Sequence, residues 1–197
     1  FGIGVQQSTL ESLSYRAITS KDSLSKGNYI NFFPTANFNF TPARTKNLRF
    51  RYNGRTNQPS ISQLQNVLDV SDPLNVTTGN PDLKQEFNHN MNVSFSTFNI
   101  LTFRLIAANL NFSTTRNKIV NSLDTLSRNV QLVKPMNVNG YFQGSSFVTL
   151  GLPFKNPKLK GSSLNFTNSM SYTRDVSLLY KQLNTGNIIA VSQGAGI

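Results

Sequence analysis

The sequence contains no cysteine and only one histidine, which limits the chemistry that it can perform. Without cysteine, neither a disulfide framework nor a thiolate metal site can form. One histidine gives no basis for a Ser-His-Asp triad. The segments Gly2–Gly4 and Gly194–Gly196 lack the Gly-Lys-Ser/Thr sequence of a phosphate-binding loop. We therefore predict that the chain is not an enzyme and holds no cofactor.

Carboxylates are scarce as well, since the chain has only 8 Asp and Glu residues. Asp69 and Asp72, together with Asn75, present oxygens of the kind that bind Ca²⁺. Their spacing is not that of an EF-hand, and Asp and Asn commonly bond the backbone of turns. We therefore interpret these residues as turn caps and predict no metal site.

Charged residues make up 14% of the chain and hydrophobic residues 38%, and both fractions are low for a soluble domain. No apolar run approaches the roughly 18 residues of a membrane-spanning helix, and no signal peptide or lipidation motif is visible. Asn, Ser, Thr and Gln are abundant instead. This composition is typical of a barrel with an apolar outer face and a polar, mostly uncharged inner face. The 15 Phe residues and the regular alternation argue against disorder.

Alternation of apolar and polar residues is the main structural signal. Leu48, Phe50 and Tyr52 fall on one face of a strand, and Arg49, Arg51 and Asn53 fall on the other. Similar runs predict strands at about 1–10, 29–41, 48–53, 83–98, 102–120, 130–150, 164–172 and 188–194. Because a charge at the middle of a bilayer costs about 2–4 kcal/mol, we expect the apolar rows to face lipid.

The predicted connections alternate between long and short. The long ones cover 12–28, 54–82, 121–129 and 174–185, and short turns separate them. Soluble hairpins usually have loops of about 2–5 residues, whereas outer-membrane barrels carry long loops at one end. We therefore predict an all-β fold, an antiparallel meander of about eight long strands that forms part of a large transmembrane β-barrel. Aromatic residues near strand ends are expected in interfacial girdles: Phe50, Tyr52, Phe95, Phe98, Phe103 and Tyr172.

Two local expectations concern the long loop and the histidine. Residues 61–65 are expected to form one helical turn, capped by Ser60 or Ser62. His89 lies between Asn88 and Asn90, so it is interpreted as a polar structural residue that could face the lumen.

The long loop also carries a family resemblance. The segments Arg55–Gln65, Asp72–Asn75 and Gly79–Lys84 resemble the barrel portion of TonB-dependent outer-membrane receptors. The resemblance implies import of a bulky nutrient, of the siderophore, glycan or peptide class, across the bacterial outer membrane. It also implies three partners: outer-membrane lipid, the receptor's own plug domain and, through the plug, the TonB energy-transducing complex. No plug sequence is present, and both ends read as the inside of strands. We therefore interpret residues 1–197 as a partial barrel domain, truncated at both ends.

Within this interpretation, the polar face of the third strand and the long loop are expected to contact the imported ligand. The candidate ligand-binding residues are Arg49, Arg51, Asn53, Arg55, Asn57, Gln63, Asn75 and Asn80.

The net charge of +11 has two interpretations. It could indicate a polyanionic partner such as nucleic acid or lipopolysaccharide, or it could reflect uneven sampling of charge in part of a longer protein. No nucleic-acid-binding motif accompanies the charge, so we predict no nucleic-acid partner.

The main alternative is a secreted, soluble β-sandwich that binds glycans or anionic polymers, because the inner faces of a sandwich show the same alternation. A passive porin or an outer-membrane barrel enzyme is a third, less favoured hypothesis. The sandwich differs from the barrel in one visible respect: its apolar rows pack against each other.

Overall fold

The computed structural model describes residues 1–16, 21–127, 130–154 and 161–197. These residues form one sheet of 11 strands and a single helical turn. The strands are β1 (Gly2–Arg16), β2 (Lys21–Ala43), β3 (Lys46–Asn57), β4 (Asn75–Thr77), β5 (Glu86–Asn99), β6 (Arg104–Arg116), β7 (Lys118–Ser127), β8 (Val130–Val138), β9 (Tyr141–Pro153), β10 (Ser163–Leu179) and β11 (Gln182–Gly196), and the helical turn is α1 (Ile61–Leu64). None of the helical structure in the described ranges is long and apolar enough to cross a membrane.

Eight of the strands form a continuous antiparallel series, which we call the wall. Its order is β1-β2-β3-β5-β6-β9-β10-β11. The wall is open: in the described part of the chain, β1 pairs only with β2 and β11 pairs only with β10. The antiparallel meander predicted from the alternation is therefore present, but the sheet does not close on itself.

The other three strands lie at one end of the wall. β7 and β8 form a hairpin, β4 pairs with β8 in parallel, and β7 pairs in parallel with β10 at Leu178 and Leu179. We call residues 58–85 and 117–139 together the loop module. The prediction of about eight strands in a simple meander is thus only approximately right, because the module adds three strands and two parallel pairings.

Two predicted strands are in fact four. The chain leaves β6 at Asn117, with φ of 52°, and enters β9 through Gly140, with φ of 107°. Both values lie in the left-handed region, where the backbone turns out of an extended ladder. These bends divide the predicted strand 102–120 into β6 and β7, and the predicted strand 130–150 into β8 and β9. Residues 121–127, expected in a connection, belong to β7.

Two predicted loops are largely strand. β1 and β2 remain paired as far as Arg16 and Lys21, so the expected connection at 12–28 is wrong except for residues 17–20, which lie outside the described ranges. β10 and β11 are joined by a tight turn at Tyr180 and Lys181, whose φ values of 49° and 64° suit a type I′ hairpin.

The buried apolar side chains lie in the loop module and where it meets the wall. They are Leu64, Val76, Leu83, Val138 and Val176. Within the wall, by contrast, Phe38, Leu110 and Met170 remain 54%, 49% and 47% exposed. No second sheet covers these rows among the described residues, so the two packed layers that a β-sandwich needs are not there.

Candidate functional site: the polar face of the wall

The strand register assigns every wall residue to one of two faces, because side chains alternate along a strand. The central row of one face is apolar: Phe38, Phe50, Val93, Leu110, Ser146, Met170 and Val191. The neighbouring row of the opposite face is polar: Asn37, Arg51, Asn92, Asn111, Ser145 and Ser171. The wall therefore has an apolar face and a polar face, as the alternation predicts.

Hydrogen bonds link the asparagine side chains of the polar face across strands β5 and β6. The Asn92 Nδ2 donates to Asn111 Oδ1 at 2.7 Å and to Asn109 Oδ1 at 3.2 Å. The Asn111 Nδ2 donates to Asn109 Oδ1 at 2.8 Å. These bonds fix the orientations of the amides, and the Asn111 oxygen, which accepts one donor here, has a second lone pair for another. The result is an ordered surface for recognising hydroxyl, amide or carboxylate groups.

Two shallow hollows flank the arginines of β3 on this face. The first, of about 300 Å³, is lined by polar residues that include Arg51, Asn53, Asn90, Gln143 and Ser145. The second, of about 360 Å³, is lined by Arg49, Asn47, Asn109 and Phe147, among others. The buried Oδ1 of Asn47 accepts no hydrogen bond within the described ranges. An available acceptor, aromatic surface and two guanidinium groups together suit a polar or anionic ligand.

The five candidate residues on β3 share the polar face. Arg49, Arg51 and Asn53 lie opposite Ser94, Asn92 and Asn90 of β5. Arg55 and Asn57 continue the same row toward the loop module, opposite Asn88 and Glu86. In the described part of the chain, no carboxylate lies within ion-pair distance of Arg49 or Arg51. The structure thus brings these side chains together, and their contact with a ligand stays a prediction.

The other three candidates have structural contacts inside the loop module. Gln63 Oε1 accepts from the Ser60 backbone N–H at 2.9 Å, and Ser60 Oγ accepts from the Gln63 N–H at 3.3 Å. This reciprocal capping box confirms the predicted helical turn and its Ser60 cap. The Asn75 Nδ2 donates to Asp72 Oδ2 at 2.8 Å. Neither side chain lines the two hollows beside the arginines of β3.

Asn80 joins the two parts of the loop module. It is 6% exposed, its Nδ2 donates to the Pro135 carbonyl at 2.9 Å, and its Oδ1 accepts from the Asp82 N–H at 3.1 Å. Next to it, a Cβ on Gly79 would lie 2.2 Å from the Gln65 carbonyl oxygen, so only glycine fits. The loop 58–85 is therefore packed closely against the hairpin β7–β8.

A second asparagine with the same function was not identified from the sequence. Asn137 Oδ1 accepts from the Lys84 N–H at 2.7 Å, and its Nδ2 donates to the carbonyls of Lys84 and Asn117 at 2.9 and 2.7 Å. It lies just before the bend at Gly140. The Asn-Val-Asn-Gly sequence at 137–140 was the available signal, since such residues favour bends and bond the backbone.

The acidic residues of the loop are turn caps, as interpreted from the sequence. Asp69 Oδ1 accepts from the N–H and the hydroxyl of Ser71 at 3.0 and 2.6 Å. Asp72 accepts from Asn75 Nδ2 and, at 3.0 Å, from the Leu74 N–H. These hydrogen bonds favour the ionised carboxylates and lower the pKa of Asp69 and of Asp72.

His89 does not face the lumen, so that interpretation is wrong. It pairs opposite Gly54 and Thr114, and it shares the apolar face with Met91 and Val93. Its Nδ1 lies 2.9 Å from the Tyr52 hydroxyl oxygen, and its ring lies 4.6 Å from that of Phe87. The polar neighbours Asn88 and Asn90 were misleading, whereas the two-residue spacing from Met91 indicates the correct face.

Aromatic residues collect on the apolar face at the module end of the wall. We call Tyr52, Phe87, Phe112, Phe142 and Tyr172 the aromatic collar. The rings of Phe112 and Phe142 are 6.1 Å apart and those of Phe142 and Tyr172 are 5.1 Å apart. At the opposite end, Phe98 and Phe103 pack edge to face at 6.4 Å. Aromatic groups at the end of an apolar band are typical of a barrel girdle, whereas Phe98 lies on the polar-face row of β5, two residues beyond Ser96.

Comparison with known families gives one match. Residues 9–193 match the sequence model described as the outer membrane protein beta-barrel family. Comparisons with curated proteins and with solved structures find no match. The matched range includes the collar, the loop module and the wall strands, except for the first residues of β1 and the last residues of β11.

Proposed function

Because the chain belongs to the outer membrane protein beta-barrel family and is a bacterial outer-membrane protein, we propose that it forms wall and outer loops of a TonB-dependent receptor. Such a receptor imports a bulky nutrient across the outer membrane. The single observation that carries the proposal is the polar face of β3, where Arg49, Arg51 and Asn53 line two hollows on the strand that leads into the loop with the receptor-like sequence.

The two faces of the wall suit the two environments of a barrel. The exposed apolar rows match hydrocarbon, and the amide and hydroxyl rows match a water-filled interior. In the described part of the chain, the outer edges of β1 and β11 have no partner strand, which supports the interpretation of the wall as part of a barrel. A backbone N–H or C=O without a partner costs several kcal/mol in hydrocarbon. We therefore infer that further strands pair with β1 and β11 and complete the barrel.

The ligand is proposed to be polar and bulky, of the siderophore, glycan or peptide class. Guanidinium groups bind carboxylate or phosphate in two-point contacts, and fixed amides bind hydroxyls or peptide groups. The plug domain and the TonB complex are proposed partners through the family resemblance. The loop module is proposed to border the mouth through which the ligand enters.

The proposal is tested by growth of cells that do or do not carry the receptor. Each strain is supplied with one limiting nutrient from a panel of iron siderophores, oligosaccharides and peptides. The receptor should confer growth on at least one of them, and removal of TonB should abolish that advantage. A growth advantage that persists without TonB would indicate a passive porin instead.

A double arginine variant and a loop deletion test, in the same growth assay, which residues form the site. Arg49→Gln with Arg51→Gln should weaken uptake strongly, whereas Arg44→Gln with Arg104→Gln, at the short-turn end, should not. Deletion of 55–82 should also reduce uptake, and unchanged uptake would remove the loop from the site. Resistance of the folded barrel to SDS before heating is the control for folding.

A further inference from the structure

We propose that the apolar face of the wall carries a binding site for the phosphorylated headgroup of an outer-leaflet glycolipid, formed by Arg116 and Arg174 at the outer rim of the aromatic collar. The inference uses the outer-membrane location and the face assignment, and it does not depend on the transport proposal. It concerns the opposite face of the wall from the arginines of β3.

The register places both arginines on the apolar face. Arg116 pairs opposite Phe87, and Arg174 pairs opposite Phe142. Residues two or four positions apart on a strand share a face. Arg116 lies four residues after Phe112 on β6, and Arg174 lies two residues after Tyr172 on β10, so both lie on the apolar face. Charged residues are costly on the lipid face of a barrel except near the interfaces. Their position level with Phe87 and Phe142, the outermost rings of the collar, therefore places them at headgroup depth.

The collar marks that interface. The ring of Phe142 lies 5.1 Å from Tyr172, and the Tyr172 hydroxyl donates to Asn187 Oδ1 at 2.8 Å. The Tyr52 hydroxyl likewise bonds His89. Rings with polar tips are characteristic of the boundary between hydrocarbon and headgroups. Below the collar, the exposed rows of the wall suit acyl chains, so one lipid molecule can contact both regions.

The two guanidinium groups are available for a ligand. Within the described ranges, no carboxylate forms an ion pair with Arg116 or Arg174. The acidic groups nearby already have partners, because Asp175 binds Lys118 at 2.8 Å and Glu86 accepts from the Ile119 N–H at 2.6 Å. Both arginines are therefore available to bind anionic groups of a ligand.

The spacing suits one headgroup. Arg174 and Thr114 both lie level with Phe142, and Arg116 is two residues beyond Thr114. With strands about 4.8 Å apart and a rise of about 3.3 Å per residue, the two Cα atoms are roughly 12 Å apart. Two arginine side chains can span that distance and bind one phosphorylated sugar headgroup with charge-assisted hydrogen bonds.

The leaflet follows from the loops. In outer-membrane barrels the longer loops are extracellular and the short turns are periplasmic. The collar lies at the end of the wall that carries the loop module, so it faces the outer leaflet. There the anionic lipid is phosphorylated glycolipid, which complements the charge of the arginines.

The experiment measures the glycolipid that stays bound to the receptor, purified from outer membranes in mild detergent, and its rebinding of purified lipid A. Arg116→Gln with Arg174→Gln should lower the affinity for lipid A at least about tenfold, since each charge-assisted bond contributes about 1.5–3 kcal/mol. The double variant Arg116→Lys with Arg174→Lys should retain part of the lipid A binding. Such binding would show that the variant barrel is still folded.

The matched control removes the same charge from the other end of the wall. Arg104 lies on the apolar face of β6 near the short turns, and Arg44 lies in a short turn. Arg44→Gln with Arg104→Gln should leave lipid A binding unchanged. Equal loss in both double variants would overturn the proposal, because it would show a non-specific charge effect.

Two further binding measurements identify the bound species. Dephosphorylated lipid A should bind weakly, and inorganic phosphate at millimolar concentration should not displace lipid A. Displacement by phosphate would mean a free-phosphate site and would overturn the proposal. A shift from dimer to monomer in the Gln variants, with lipid A binding intact, would show that a second copy of the chain occupies this face instead.

Discussion

The wall and the loop module are built on different principles. The wall has large apolar side chains such as Phe38 and Leu110 that stay about half exposed, and its strands are joined mainly by backbone ladders. The module encloses Leu64, Val76 and Leu83, each 6% exposed, as a small soluble domain would. The difference shows that the module supplies its own apolar contacts, whereas the described wall strands leave theirs uncovered.

The largest expected effect comes from a charge in the middle of the apolar face. Leu110→Arg should destabilise the folded barrel by about 2–4 kcal/mol, because the side chain would enter hydrocarbon. Asn111→Arg, one residue further on the polar face, should have a much smaller effect. Urea unfolding of the receptor in lipid vesicles measures both, and equal losses would contradict the assignment of faces.

A cavity introduced into the loop module should destabilise the loop module and leave the stability of the wall unchanged. Leu64→Ala removes a buried side chain and should destabilise the packing of 58–85 by about 2 kcal/mol, the lower end for such a change. Limited proteolysis should then cut this loop faster while the wall resists SDS as before. A loss of barrel folding in the same variant would show that the two regions are not independent.

A smaller effect is expected at the polar junction within the module. Asn80→Ala leaves the buried Pro135 carbonyl without this donor and should cost about 1–2 kcal/mol. Asn121→Ala changes an exposed asparagine of β7 and is the matched control. Hydrogen exchange of β8 amides should rise in the first variant alone, and a similar rise in both would remove Asn80 as a specific link.

The smallest effect concerns pH. The pKa of Asp69 and of Asp72 is lowered in the folded loop, so their contribution is present above the usual carboxylate pKa and is lost as pH falls through the folded values. The rate at which a protease active in acid cuts residues 58–85 should therefore increase slightly below about pH 4. Asp69→Asn with Asp72→Asn should flatten this dependence, and an unchanged profile would assign it to other groups.

Sequence reasoning described the wall well and the module poorly, for a physical reason. Strands such as β3 and β5 have one apolar and one polar face, so nearly every second residue is apolar, and both the strand and its faces can be predicted from the sequence. β7 and the outer part of β10 have no such constraint. Leu123 and Val176 stand between polar or charged neighbours, so these segments look like loops, and their parallel pairing depends on contacts between distant residues.

The candidate site shows the same division. Arg49, Arg51 and Asn53 were placed on one face by parity alone, and the register agrees, whereas Arg55 and Asn57 were expected in the loop and lie on β3. Gln63, Asn75 and Asn80 were grouped with them because they lie in the same loop. Their partners, Ser60, Asp72 and Pro135, fix capping and packing contacts that only the folded module defines.

The central claim is that the apolar rows touch hydrocarbon, and the absence of native cysteine from this chain makes a direct test simple. Single spin labels at Leu110→Cys and Asn111→Cys in the vesicle-reconstituted receptor report collisions with oxygen, which concentrates in lipid, and with a water-soluble nickel chelate. We predict that the label at 110 is accessible to oxygen and protected from nickel, and that the label at 111 is accessible to nickel. A label at 110 that is protected from both reagents would mean that the apolar rows are sealed inside protein, and it would contradict this structure's role as a membrane wall.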